Sequence, residues 1–207
     1  MKTKSPDWLE VLAAIGTGIL FLVFHFLGAH GLFIVIALFG WGLFLFHRIR
    51  KDNRIIGEWG LGRNNLGKAF FISSLFALPL IAFMALYAAF RNDLFFPLHG
   101  FFLLLLYPVW GIIQQFLVLA LLVRNIGYSS LGSKNYILVL IGAVLFCIVH
   151  VPDLPLMAGT FFLGMIYVPL YLRYHNIWPL GIYHGWLGTF FYFWVLGRDP
   201  LVEILNL

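Results

Sequence analysis

Two adjacent glutamines, Gln114 and Gln115, lie in the middle of the apolar run YPVWGIIQQFLVLALLVRN, residues 107–125. Each primary amide brings two N–H donors and a carbonyl acceptor. Burying such a group without partners costs about 2–7 kcal/mol, whereas leucine would fit the pattern without that cost. An amide can hold a water molecule or a peptide carbonyl, but it cannot take up a proton as a general base. The pair therefore predicts either a polar site or hydrogen bonds between packed helices.

Two further polar motifs follow, FCIVH at residues 146–150 and HVPDLP at residues 150–155. Phe146 and His150 are four residues apart and so share a helix face. Pro152 cannot donate the next backbone hydrogen bond and ends the helix. His150 is therefore expected near a helix end, where it faces either a cavity or the membrane interface.

The last polar motif is GIYHGWLGT, residues 181–189. Gly181 and Gly185 have the GxxxG spacing that allows two helices to approach closely. His184 lies inside this small-residue patch, where it serves either a functional site or a buried structural hydrogen bond. Gly188 adds another small position on the same helix.

The elements that position these motifs are predicted to be membrane helices. The chain is 62% hydrophobic and only 10% charged, whereas a soluble domain is about half apolar and a quarter charged. The apolar residues fall in runs long enough to cross a bilayer. We expect an all-α polytopic bundle of about seven spans, at residues 8–27, 31–46, 69–90, 100–123, 136–151, 156–172 and 177–196.

The distribution of positive charge predicts the orientation of this bundle. With the N-terminus inside, all of the 13 lysines and arginines except Arg91 and Arg198 fall on the cytoplasmic side, which is the side that positive residues favour. The basic loop 47–67 is then cytoplasmic, as a topology signal or a contact to anionic lipid. We expect one integrated membrane domain, with residues 1–68 as an N-terminal hairpin and loop and residues 69–207 as the core, in the cytoplasmic membrane of a prokaryote.

The order of these motifs resembles the CAAX protease and bacteriocin-processing (CPBP, or Abi) family of intramembrane endopeptidases. That family has a Glu-Glu pair, usually as EExxxR, then FxxxH, and then HxxxN or HxxxD. Here QQFLVL (114–119), FCIVH, TFFLGMIYVPLYLRYHNIWP (160–179) and HGWLG (184–188) follow in the same order. The resemblance covers residues 100–196.

Three positions depart from the family pattern. Gln114 and Gln115 occupy the positions of the glutamates, Leu119 that of the arginine, and Gly188 that of the final Asn or Asp. The resemblance implies that the glutamate activates water while histidines support the developing oxyanion, so it assigns the catalytic positions to the Gln pair, His150 and His184. Phe146, Asp153, Gly188 and Thr189 are then expected to contribute to binding.

Two main hypotheses follow. The chain is either an intramembrane endopeptidase acting on lipidated or membrane-associated peptides, or a proteolytically inactive relative that binds such a peptide or a partner protein. Hydrolysis would need an unusual base, such as Asp153 or a metal-bound water. A small-molecule transporter is less favoured, because the sequence shows no inverted repeat and no charged coupling residue in mid-membrane. We expect the lipid bilayer as a partner, no nucleic acid, and neither a cofactor nor a metal.

Overall fold

The computed structural model describes residues 5–129 and 134–205, and every regular element in those ranges is helical. The all-α prediction is confirmed. A first π-helical segment, Phe116–Val123, continues α5 into α6, and a second, Phe191–Leu196, continues α9. The α-helices are α1 (Trp8–Phe26), α2 (His30–Lys51), α3 (Ile55–Glu58), α4 (Leu66–Phe90), α5 (Gly100–Gln115), α6 (Arg124–Gly127), α7 (Asn135–Ile148), α8 (Leu154–Tyr174), α9 (Trp178–Phe190) and α10 (Pro200–Leu205).

Each predicted span coincides with one of these helices. Within the described residues, five are long and apolar enough to cross a membrane: α1, α2, α4, the continuous helix Gly100–Gly127, and α8. Helix α7 is apolar but only 14 residues long. Large apolar side chains such as Phe83 and Leu106 point out of the bundle, as in a protein surrounded by lipid. The number of crossings and the orientation stay predictions, and Lys2 and Lys4 lie outside the described residues.

Helix α9 packs directly on the backbone of α5 through its glycines. A Cβ atom on Gly185 would lie 2.5 Å from the backbone nitrogen of Pro108, and one on Gly181 would lie 2.6 Å from the Cα of Ile112. Only glycine allows this approach. The close helix contact predicted from the GxxxG spacing is therefore present, and it holds His184 against α5.

A second close contact joins α7 to α8. A Cβ atom on Gly164 would lie 2.6 Å from the Cα of Ala143, so these two helices also pack with little side chain between them. Asp153 caps α8 by accepting a hydrogen bond from the backbone N–H of Leu156 at 3.0 Å. His150 is thereby fixed in the short turn between two tightly packed helices.

The basic loop is folded against the bundle. Trp59 is completely buried, and its ring packs edge-on against Phe116 with the centroids 5.1 Å apart. The side-chain amide of Asn176, itself 1% exposed, donates to the backbone carbonyls of Gly62 at 2.9 Å and Asn64 at 3.0 Å. This loop is thus a structural plug under the helices, a role that its charge alone did not indicate.

A buried ion pair fastens α1 to this end of the bundle. Arg124 donates to the carboxylate of Glu10 at 2.5 Å, and Asn125 donates to the same oxygen at 2.8 Å. Arg48 lies 3.8 Å from the other oxygen of Glu10. Arg124, which follows the Gln pair along the sequence, therefore belongs to the packing contact between α1, α2 and α6.

Candidate functional site

A cavity of about 390 Å³ opens among the helices and brings several of the predicted residues together. Gln114, His150, His184 and Gly188 all line it, although they come from α5, the α7–α8 turn and α9. Most of the remaining wall is apolar. The polar side chains of the lining are those of His30, Tyr107, Gln114, His150, Thr160, His184, Tyr192 and Glu203.

Gln114 and His184 are joined by a hydrogen bond of 2.8 Å between Oε1 and Nε2. Because a carbonyl oxygen only accepts, Nε2 of His184 donates and the neutral ring carries its proton there. Nδ1 is then an acceptor, and among the described residues this buried atom has no hydrogen-bond partner. Because Nδ1 is buried, the groups that the pair offers to a bound molecule are the amide N–H groups of Gln114.

The ring of Phe146 lies between the two histidines. Its centroid is 5.5 Å from that of His150 and 5.1 Å from that of His184. Nδ1 of His150 lies 2.8 Å from the backbone carbonyl of Phe146, so Nδ1 donates and Nε2 is left as an acceptor. Phe146 is 1% exposed, and the spacing of FxxxH thus serves to orient both imidazoles.

Gln115 points away from the cavity. It is 1% exposed, and its amide nitrogen has no hydrogen-bond partner among the described residues. Of the two glutamines, Gln114 lines the cavity and Gln115 does not. Thr189 also lies outside the cavity lining, and its hydroxyl donates to the carbonyl of Gly185 at 2.9 Å.

The two carboxylates closest to this region are both paired with Arg198. Asp153 is hydrogen-bonded to Arg198 and does not line the cavity. Glu203, which does line it, lies 3.2 Å from Nε of the same arginine. Partial burial lowers the pKa of Arg198, but its hydrogen bond to Asp153 and the charge of Glu203 outweigh this and raise it, so the guanidinium remains charged.

Several lining residues were missed from the sequence. Tyr107 is seven residues before Gln114 and therefore lies on the same helix face, a spacing that could have identified it. Thr160 is a polar residue in the apolar first half of α8 and was also recognisable. His30 and Glu203 come from the two ends of the chain, and no pattern in the sequence connects them to the Gln pair.

An apolar groove of about 160 Å³ adjoins the cavity on the side of α1. The two share Phe21, Trp110 and Gln114 as lining residues. The groove is otherwise formed by aliphatic and aromatic side chains, with Thr17 as a further polar residue. The amide of Gln114 can thus be approached both from the cavity, which carries the polar side chains, and from the apolar groove.

The donor set does not indicate a metal centre. In the described ranges, no group of three or more His, Cys, Asp or Glu side chains is arranged to hold a metal ion.

The fold and the apolar helices define an integral membrane protein with a largely apolar cavity between its helices, into which several polar side chains point. The family model for the type II CAAX prenyl endopeptidase, Rce1-like, matches residues 74–190, more than half of the chain. The chain therefore belongs to this family of membrane proteases, and the expected resemblance is confirmed. Neither a curated protein nor a solved structure gives a significant match. Membership in this family supports an intramembrane protease-type function, and a membrane-associated peptide is the substrate class it suggests.

Proposed function

We propose that the protein binds a lipidated or membrane-associated peptide in the cavity around Gln114 and cleaves it slowly or not at all. The observation that carries this proposal is the direct hydrogen bond between Gln114 and His184. A carboxylate at that position would accept a proton from water, whereas an amide holds its neighbour and the bound peptide by hydrogen bonds only.

The contacts around Gln114 suit the backbone of a peptide. The amide N–H groups of Gln114 can donate to a peptide carbonyl, and Nε2 of His150 can accept from a peptide N–H. The adjoining groove is almost entirely apolar and is suited to the hydrocarbon chain of a lipidated residue. A peptide and its lipid would then lie on opposite sides of the same glutamine.

The surrounding carboxylates do not replace the missing base. Asp153 caps α8 and pairs with Arg198, and Glu203 pairs with the same arginine. Both carboxylates therefore already have a partner, and Asp153 does not line the cavity. The pairing of these carboxylates favours peptide binding without rapid hydrolysis. The same proposal places the protein in the cytoplasmic membrane of a prokaryote.

One observation favours hydrolysis as a second candidate function. His150 is held with Nδ1 on its own helix backbone, which leaves Nε2 as an acceptor in a residue that lines the cavity. A histidine in this form can act as a general base toward water. In this second candidate, Gln114 positions the scissile carbonyl while His150 activates the water.

A photo-crosslinking experiment tests the proposal. A farnesylated peptide with a photoreactive side chain is offered to the protein in lipid vesicles, with a palmitoylated peptide of the same sequence for comparison. We expect saturable crosslinking, reduced by Gln114→Leu but not by Gln115→Leu, and little cleavage product. The absence of saturable crosslinking with both peptides would refute the proposal. Rapid cleavage that is lost in His150→Ala would favour the second candidate.

A further inference from the structure

Helix α5 places a hydroxyl group in the cavity in addition to the amide of Gln114. Tyr107 and Gln114 both line the cavity, and their seven-residue separation corresponds to a rise of about 10 Å along α5. Below Gln114, on the side of the basic loop, Phe116 and Leu121 have no exposed surface, and no residue of the first π-helical segment lines the cavity. A ligand held by Gln114 in this cavity therefore extends along α5 toward Tyr107.

The ring of Tyr107 rests on a glycine of α9. A Cβ atom added to Gly188 would lie 3.0 Å from Cε1 of Tyr107 and 3.5 Å from its Cδ1. The phenol ring thus occupies the space that a larger residue at position 188 would need. Since Gly188 belongs to the helix that also carries His184, this contact holds the phenol in the cavity wall between the same two helices that form the Gln114–His184 pair.

The hydroxyl of Tyr107 is not used by the fold. The hydroxyls of Thr160 and Thr189 donate to carbonyls of their own helices at 2.7 Å and 2.9 Å, whereas that of Tyr107 has no hydrogen bond to any residue in the described ranges. A tyrosine hydroxyl inside a protein usually has a hydrogen-bond partner. Because Tyr107 lines the cavity, a bound molecule can supply that partner.

Resting on the function proposed above, we infer that Tyr107 is a second peptide-binding residue, whose hydroxyl donates to a backbone carbonyl about three residues away from the carbonyl held by Gln114. An extended peptide advances about 3.3 Å per residue, so three residues match the rise of about 10 Å between Tyr107 and Gln114 along α5. The wall near them includes the apolar side chains of Trp110 and Leu187, and a hydrogen bond is stronger in such surroundings than in water. Two points of contact fix the register of the peptide on α5 as well as its position.

Tyr107→Phe tests the hydroxyl without removing the ring. In the crosslinking assay with the farnesylated peptide, we expect the apparent affinity to fall about threefold to tenfold, as for one lost hydrogen bond. Tyr167→Phe is the matched control, because the Tyr167 hydroxyl is buried outside the cavity lining and has no hydrogen-bond partner among the described residues. An unchanged affinity in Tyr107→Phe, or an equal loss in Tyr167→Phe, would overturn the inference.

A series of farnesylated peptides, each with one backbone amide replaced by an ester, tests the register. An ester carbonyl accepts a hydrogen bond more weakly than an amide carbonyl does, so capture by the unmodified protein should fall at two positions about three residues apart. Tyr107→Phe should remove the sensitivity at one of these positions, and Gln114→Leu should remove it at the other. Sensitivity that Tyr107→Phe leaves unchanged at every position would refute the second contact.

Gly188→Val tests whether the glycine orients the phenol. Valine needs the space that the ring occupies, so we expect a loss of affinity in the unmodified protein and no further loss in the Tyr107→Phe background. Equal losses in both backgrounds would show that valine obstructs the cavity directly, and the positioning role of Gly188 would be wrong.

The outcomes separate this inference from the proposed function. If the unmodified protein captures the peptide saturably and Tyr107→Phe captures it equally well, the role of Tyr107 is wrong while peptide binding stands. If the unmodified protein captures no peptide, both proposals fail.

Discussion

The side-chain carbonyl of Gln114 lies 2.8 Å from Nε2 of His184, a residue 70 positions further along the chain. This contact joins α5 to α9 beside the glycines that let the two helices meet. It satisfies the amide acceptor and one imidazole nitrogen at once. The amide N–H groups of Gln114 are left over, and these are the groups that a bound peptide would use.

Replacing this amide by a carboxylate should create hydrolytic activity. Gln114→Glu places a proton acceptor in the cavity beside His184, and general-base assistance contributes about 10²–10⁴-fold to rate. We expect cleavage of a farnesylated peptide, measured by release of a quenched fluorophore, to rise by a factor in that range. Adding His184→Ala or His150→Ala should remove the gain.

The neighbouring glutamine provides the matched control. Gln115→Glu puts the same carboxylate on the adjacent residue, where it is buried outside the cavity. We expect no gain in cleavage and a lower yield of folded protein, because an unpaired buried charge is costly. A gain with Gln115→Glu and none with Gln114→Glu would show that the wrong glutamine has been assigned to the site.

The hydrogen bond between α5 and α9 should appear as a coupling energy. Gln114→Leu leaves Nε2 of His184 without its acceptor, and an unsatisfied buried polar group costs about 1–3 kcal/mol. Because the double variant with His184→Leu leaves neither partner orphaned, its loss of stability should be smaller than the sum of the single losses. Unfolding in mixed micelles measures all three variants, and strict additivity would argue against the contact.

The glycine contact should be intolerant of a methyl group. In Gly185→Ala the new Cβ would lie 2.5 Å from the backbone nitrogen of Pro108, so the helices must separate, and overpacking of this kind costs about 1–3 kcal/mol. We expect a lower unfolding midpoint. Gly42→Ala is the control, because no atom lies within 4 Å of its added Cβ. Equal effects of the two changes would contradict the packing described here.

The plug formed by the basic loop should loosen when Asn176 is truncated. Asn176→Ala removes two hydrogen bonds to backbone carbonyls, a loss of about 1–3 kcal/mol. We expect trypsin to cleave at Arg63 roughly tenfold faster in detergent-solubilised protein, because the loop opens more often. The exposed Asn53→Ala should not change the rate, and an unchanged rate in Asn176→Ala would show that other contacts hold the loop.

The helical architecture was predictable because it depends on local composition. A run of apolar residues long enough to cross a bilayer is visible in the sequence itself, and so is the GxxxG pair that sets the approach of α9 to α5. The family resemblance then indicated which polar residues belong together. His150 and His184 could be named in advance for this reason, although their spans alone did not show that they meet.

The remainder of the site depends on contacts that no local pattern encodes. The first π-helical segment shifts the register of the helix after Gln115, and nothing in the apolar letters FLVLALLV distinguishes it from an α-helix. Glu203 reaches the cavity only because α10 folds back over α2. The burial of Trp59 likewise depends on a distant partner, Asn176, that fixes the loop.

The buried layer of side chains below Gln114 also determines where the membrane voltage falls. A voltage falls mainly across regions of low dielectric constant, and the dry layer formed by Phe116–Val123 and Trp59 is such a region. A cavity open to solution on one side brings that solution's electrical potential down to Gln114. A charge bound in the cavity therefore crosses little of the field, although a full crossing would involve about 2.3 kcal/mol per 100 mV. The binding of a peptide in this cavity should therefore depend little on the membrane potential.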